Sequence, residues 1–243
     1  MRVLIVWGSE TNNTQGFVNK IADGWKDKHG EKLKTLDVFQ GDEIADDEKW
    51  DTVTKDNYDF VLICTSSYGE GEPPSGFGRF LYRLQEASKE GEGSGSSQLT
   101  GLKHAVLGIG STCYDTFQNC PRHIDKYFEE AGSRRIHQRF EWDEMEHQDS
   151  DVYKWGDEIY DVMTTSIEKD DVSTGDVCSW KEPKDELLSK IVGEDGYEIG
   201  EGPGEGFGMQ QKLVLAAVFV GGAAYYYLKI HQGAAAAAGE AEL

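Results

Sequence analysis

The stretch Val3-Leu4-Ile5-Val6-Trp7-Gly8-Ser9-Glu10-Thr11-Asn12-Asn13-Thr14 decides the fold. Its first half is an apolar run of strand length, as expected for a strand covered on both faces in a parallel sheet. Its second half is a polar loop that opens a helix, because Phe17, Val18, Ile21, Ala22 and Trp25 recur at helical spacing up to His29-Gly30. Ser9, Thr11 and Thr14 place three hydroxyls at a Ser-x-Thr-x-x-Thr spacing at the mouth of that helix, where unpaired backbone N–H groups favour an anion. A phosphate fits such a loop without any Arg or Lys. Ser and Thr also serve as ordinary helix caps, so the loop takes its meaning from the loops that accompany it.

The same grammar repeats down the chain. Lys32 to Val38 alternates as a second strand, and the acidic stretch from Gly41 to Asp56 reads as a short exposed connection or weak helix. Phe60-Val61-Leu62-Ile63-Cys64-Thr65 is a second buried strand, running into Ser66-Ser67-Tyr68-Gly69-Glu70-Gly71-Glu72-Pro73-Pro74 before Phe77, Phe80, Leu81 and Leu84 restart the helical period. Gly91 to Ser97 is a surface connection. His104 to Gly108 is the next buried strand, followed by Ile109-Gly110-Ser111-Thr112-Cys113-Tyr114 and a helix carrying Ile124, Tyr127 and Phe128. Arg135 to Phe140 reads as the last strand, Glu141 to Asp151 as an acidic loop, and Val152, Trp155, Ile159 and Val162 mark a closing helix. Five strands alternating with helices predict an α/β fold with a five-stranded parallel doubly wound sheet. Ligands in that architecture bind beyond the carboxyl ends of the strands, where strand order reverses. Three loops with hydroxyls, glycines and tyrosines would converge there. Tyr68 and Tyr114 follow glycine-bearing turns rather than sitting inside the apolar runs, which predicts that both are exposed.

The chain has 243 residues, with 24 Lys plus Arg against 45 Asp plus Glu and a formal net charge of −21. Such a balance argues against nucleic acid as a partner and favours a basic protein reached by electrostatic steering. Cys64, Cys113, Cys120 and Cys178 form no C-x-x-C pair and no regular framework, so neither a zinc site nor a disulfide scaffold is expected. The first strand begins at Arg2, which leaves no room for a signal or transit peptide. His104, His123, His137 and His147 show no metal spacing, and no catalytic acid, base or nucleophile stands out.

Three motifs in combination carry a resemblance: Gly-Ser-x-Thr-x-x-Thr at Gly8 to Thr14, Tyr-Gly-Glu-Gly-Glu-Pro at Tyr68 to Pro73, and Gly-Ile-Gly-x-x-x-Tyr at Gly108 to Tyr114. Over residues 1–168 the chain resembles the flavodoxin-like FMN domain, most closely the form found in diflavin reductases. The resemblance implies FMN as cofactor, with Ser9, Glu10, Thr11, Asn12, Asn13 and Thr14 as its phosphate loop. It implies that Tyr68 stacks on one face of the isoalloxazine and Tyr114 on the other, that Ser66, Ser67 and Gly69 line the polar edge of the ring, and that Ile109, Gly110, Ser111, Thr112, Cys113 and Phe117 wrap the opposite side as far as Gln118. Asp143 or Glu144 falls where the family places an acid beside the flavin. With Glu70 and Glu72, these acids predict a low reduction potential. The chain departs from the family pattern at Asn12, where Gly is usual, at Trp142, and at Pro73-Pro74-Ser75, which lacks an acid–amide pair.

Beyond residue 168 the pattern dissolves. Residues 169–211 form an acidic, Gly-rich linker that would span about 35 Å root-mean-square if fully flexible. Leu213 to Leu228 is uncharged and apolar between Lys212 and Lys229, about 24 Å as a helix, so 212–230 is read as a transmembrane tail anchor followed by a low-complexity tail at 231–243. The expectation is a single-pass, tail-anchored FMN electron-transfer protein with its head facing the cytosol. It would take electrons from a separate flavin reductase and pass them singly to a basic haem or iron–sulfur protein. Two other readings stay open on sequence alone: a stand-alone flavin-dependent quinone or NADPH reductase, and a non-redox adaptor that kept the fold without the cofactor.

Overall fold

The computed structural model of the chain describes residues 1–69 and 71–170. Glu70, Cys178, the anchor at 212–230, the tail at 231–243 and all but the first two residues of the 169–211 linker lie outside the described residues. Among the described residues no helix is long and apolar enough to cross a membrane.

Element order is β1 (Arg2–Trp7), α1 (Asn13–His29), β2 (Thr35–Gln40), α2 (Gly41–Ile44), α3 (Asp47–Trp50), β3 (Phe60–Ser66), α4 (Gly78–Ser94), β4 (Lys103–Gly110), α5 (Asn119–Glu130), β5 (Arg134–Arg135), β6 (Phe140–Asp143) and α6 (Asp149–Lys169). The strands order β2-β1-β3-β4-β5, with β6 also on β4, and every pairing is parallel. The sheet thus has five positions, as the alternation predicts. Strand order reverses between β1 and β3, the place where this topology opens a crevice.

The apolar runs of β1, β3 and β4 are buried because both faces are covered. On one face Val3, Ile5, Leu62, Cys64 and Ala105 pack with Val18, Ile21 and Trp25 of α1 and Val152, Ile159 and Met163 of α6. On the other, Leu4, Val6, Val61, Ile63 and Val106 pack with Phe80, Leu81 and Leu84 of α4 and Ile124 and Phe128 of α5. The acidic stretch after β2 folds as the two short helices α2 and α3, and its apolar residues Ile44, Ala45, Trp50 and Val53 are buried in this second cluster.

Two expected strands differ from those observed. The second begins at Thr35, not Lys32, because Gly30–Lys32 makes a 3-10 turn and Lys34 N–H donates to the Met1 carbonyl at 2.7 Å. The fifth is broken. His104 pairs with Arg135 and Leu107 with Phe140, so β4 advances three residues while its neighbour advances five and two residues are looped out. The break lets His137 and Arg139 turn inward, 3% and 5% exposed. Arg139 meets the Asp125 carboxylate at 2.5 Å, and the same carboxylate takes Arg135 Nε at 2.8 Å and contacts His104 Nε2 at 3.2 Å.

Candidate functional site

Register brings the loops together. Trp7 lies opposite Cys64, Ser66 opposite Ile109, and Gly110 opposite Asp143, so the loops after β1, β3, β4 and β6 leave the sheet at one carboxyl edge. There they enclose a cleft of about 420 Å³, within the range of small-molecule sites. From the first loop Ser9, Glu10, Thr11, Asn13 and Thr14 line it; from the second, Ser66, Ser67, Tyr68 and Gly69; from the third, Ile109, Gly110, Ser111, Tyr114 and Phe117; and from the last, Glu144. Thr116, Gln118 and Trp142 complete the wall. Of the residues expected at the site, Asn12, Thr112, Cys113 and Asp143 do not line the cleft.

Each of those four has a visible place elsewhere. Asn12 is the N-cap of α1 at φ 65°, ψ 4°, the left-handed conformation that Gly supplies elsewhere, and its side chain makes no capping bond. The Asn12 side chain therefore takes up none of the first-turn N–H groups. Cys113 is exposed. Asp143, 2% exposed, accepts from Thr112 N–H at 3.1 Å, Thr112 Oγ1 at 2.7 Å and Met145 N–H at 3.0 Å. Burial pushes its carboxyl up, but these bonds and nearby His147 hold it below the usual carboxylate range. Of the two acids left open by the sequence, Asp143 ties the third and last loops together and Glu144 borders the cleft.

The second loop is fastened from the far side. Ser67 Oγ accepts from Cys120 N–H at 2.9 Å, the Gly69 carbonyl from Thr116 Oγ1 at 3.2 Å, and the Gly71 carbonyl from Asn119 Nδ2 at 3.1 Å. Gly71 sits at φ +106°, and a Cβ there would meet Asn119 Nδ2 at 2.6 Å. Trp142 packs edge-on against Phe17 with ring centroids 5.4 Å apart and donates from Nε1 to the Gln148 carbonyl at 3.1 Å, so it is both packed and part of the wall.

The donor set is chemically specific. Among the described residues lining the cleft there is no Lys, Arg or His, and hydroxyls, side-chain amides and backbone N–H groups are what it offers an anion. The large hydrophobic side chains that stand exposed in the described residues are Tyr68 at 54%, Tyr114 at 67% and Met145 at 62%. Two line this cleft and the third follows Glu144 at its border. Aromatic faces left in water beside a concave site fit a flat conjugated ligand.

A family model described as flavodoxin matches residues 5–155. The chain belongs to the flavodoxin family. Flavodoxin domains bind FMN, and the residues present fit it: hydroxyls and a helix start for the phosphate, and two exposed phenols for the ring. Family membership makes the described head a flavodoxin-type FMN electron carrier. This flavodoxin domain is 27% identical over 175 residues to an NADPH–cytochrome P450 reductase of Phanerodontia chrysosporium, covering 72% of this chain and 23% of the reductase. It is 33% identical over 138 residues to the sulfite reductase [NADPH] flavoprotein alpha-component of Mannheimia succiniciproducens, covering 56% of this chain and 20% of that protein. The chain therefore spans under a quarter of the length of these relatives. Among solved structures, a cysteine-to-alanine mutant of flavodoxin from Pseudomonas aeruginosa superposes with a TM-score of 0.53 at 18% identity, covering 68% of this chain and 99% of that one.

Thr116 falls inside the Ile109 to Gln118 stretch expected to wrap the ring, but the sequence does not single it out. It stands two residues past the exposed Tyr114 with no motif to mark it, and its role depends on where the Gly69 carbonyl lies.

Proposed function

We propose that this chain carries electrons singly on FMN, taking them from a separate flavin reductase and passing them to a basic haem or iron–sulfur protein, and that residues 212–230 tether it to a membrane with the head in the cytosol. The observation that carries the reading is the cleft itself, where three hydroxyls at a helix start and two exposed tyrosines meet at the strand-order reversal. FMN, when bound, supplies a ring that takes up two electrons and releases them one at a time. The chain's part is to hold the phosphate with Ser9, Thr11 and Thr14, to cover the ring with Tyr68 and Tyr114, and to set its potential. Glu10 and Glu144 on the wall disfavour added negative charge and so lower that potential.

Similarity to the diflavin relatives supports electron exchange with redox partners. A net charge of −21 supports a basic one, which would be steered to the cleft at low ionic strength.

The test is to titrate the full chain with FMN and follow absorbance, then to reduce it stepwise. Flavin bound with two resolved one-electron steps is the expected result, and a colourless protein that gains no flavin absorbance overturns the reading. For the tether, the full chain is expected to stay with membranes through a high-salt wash, and its release by salt alone would remove that part.

A further inference from the structure

The first loop carries an acid where an anion is to be bound. Glu10 lies between Ser9 and Thr11, lines the cleft, and has no Lys, Arg or His among the lining residues to offset it. Its carboxylate is nonetheless engaged. Ser75 N–H donates to Oε2 at 2.8 Å and Ser75 Oγ donates to Oε1 at 3.2 Å, so both oxygens are held by one residue of the second loop.

Ser75 is itself braced. It follows Pro73-Pro74, whose rings fix φ. The Pro74 carbonyl accepts from Phe77 N–H at 3.1 Å, and the Gly76 carbonyl from Asp42 N–H at 2.7 Å. Gln40 Nε2 donates to the Ser75 carbonyl at 3.3 Å, and Phe77 is fully buried. The clamp thus starts from a fixed piece of backbone and reaches across to the phosphate loop. It also falls at the position where the sequence departs from the family pattern.

We propose that Ser75 makes the first loop competent for a dianion by holding the Glu10 carboxylate against the second loop, and so sets the preference of this site for FMN over riboflavin. The inference rests on the FMN reading. Ser75 acts through Glu10 and is a positioning residue. Once Oγ is removed, Glu10 keeps the Ser75 N–H at 2.8 Å but loses its second anchor, so the carboxylate can pivot about that one bond towards the loop. A unit charge and a dianion about 7 Å apart in a water-like medium then repel enough to weaken binding by about fivefold to tenfold. Riboflavin has no phosphate and would not feel the change.

The experiment titrates the full apoprotein with FMN and separately with riboflavin, following quenching of flavin fluorescence, for wild type, Ser75→Ala, Ser75→Thr and the double variant Glu10→Gln/Ser75→Ala. Ser75→Ala is expected to weaken FMN and leave riboflavin unchanged, with the deficit disappearing at about 1 M salt, where screening acts over about 3 Å. Ser75→Thr keeps the hydroxyl and is expected to behave as wild type. The double variant removes the charge and is expected to bind FMN at least as tightly as wild type. Equal weakening of both flavins, a deficit that persists in salt, or a double variant that stays weak would overturn the assignment and leave the FMN reading intact. A wild type that binds neither flavin would remove both.

Discussion

Gly71→Ala tests whether the second loop is held in shape by its fastening to α5. Gly71 has φ +106°, and a Cβ there would lie 2.6 Å from Asn119 Nδ2 and 3.1 Å from Asn119 Cβ and Cγ. Two costs follow. A side chain at positive φ is strained by about 1–2 kcal/mol, and displacing the buried Asn119 amide from the Gly71 carbonyl leaves that group short of a partner at about 1–3 kcal/mol. The structure can keep the loop and carry roughly 2–5 kcal/mol of strain, or relax it and move Tyr68, whose N–H donates to the Glu72 carbonyl across the same turn at 2.9 Å. Loss of one stacking face weakens flavin binding by about 1–3 kcal/mol, roughly fivefold to 150-fold. Urea unfolding and FMN titration of the variant read both terms. Gly24→Ala in the middle of α1 is the control, because a Cβ there meets nothing within 4 Å and should stabilise the helix by about 0.5–1 kcal/mol. If Gly71→Ala unfolds at the wild-type midpoint and binds FMN with wild-type affinity, the loop is not held as described.

Other outcomes follow from the same geometry. Tyr114→Ala is expected to weaken FMN binding by about 1–3 kcal/mol, read as a higher dissociation constant; an unchanged value would refute stacking at this position. Asp125→Ala removes the carboxylate shared by Arg139 and His104, though Arg139 keeps Glu141 at 3.0 Å and His104 keeps Ser133 at 2.8 Å, and should cost about 3 kcal/mol in urea unfolding. Stability should also fall with pH. Burial lowers the His104 pKa below its usual value against the pull of Asp125, so the unfolded chain takes up the proton first and stability drops below about pH 6.5. Burial alone would raise the Asp125 carboxyl, but His104, Arg135 and Arg139 bring it down to about 2, so its contribution persists above about pH 4 and is lost towards pH 2. Comparing urea midpoints of wild type and His104→Gln at pH 7 and 5 removes the background of the other carboxylates. Equal slopes would refute the histidine's part.

The strands that build the cleft were legible because their periods are unambiguous. Val3 to Trp7, Phe60 to Thr65 and His104 to Gly108 are apolar at nearly every position, which two covered faces explain. The exposure of Tyr68 and Tyr114 was legible from the glycine-bearing turns around them. The broken fifth strand was not, because the buried Asp125 carboxylate that draws Arg135 and Arg139 inward lies on a different element. Nor were the separate places of Asp143 and Glu144 legible, since that of Asp143 depends on Thr112 donating from a loop about thirty residues away. The acidic stretch after β2 hid Ile44, Trp50 and Val53 for a similar reason: charges dominated its composition while its few apolar residues made the contacts.

The break between β5 and β6 also bears on how the protein behaves among its own copies. A long flat outer strand offers a row of unpaired backbone groups onto which another molecule can add, and inward-turned charges and bulges blunt that template. Here the outermost position is split into two short pieces with an arginine tucked beneath it. Among the described residues this side therefore offers little of the continuous backbone edge on which β-aggregation is templated.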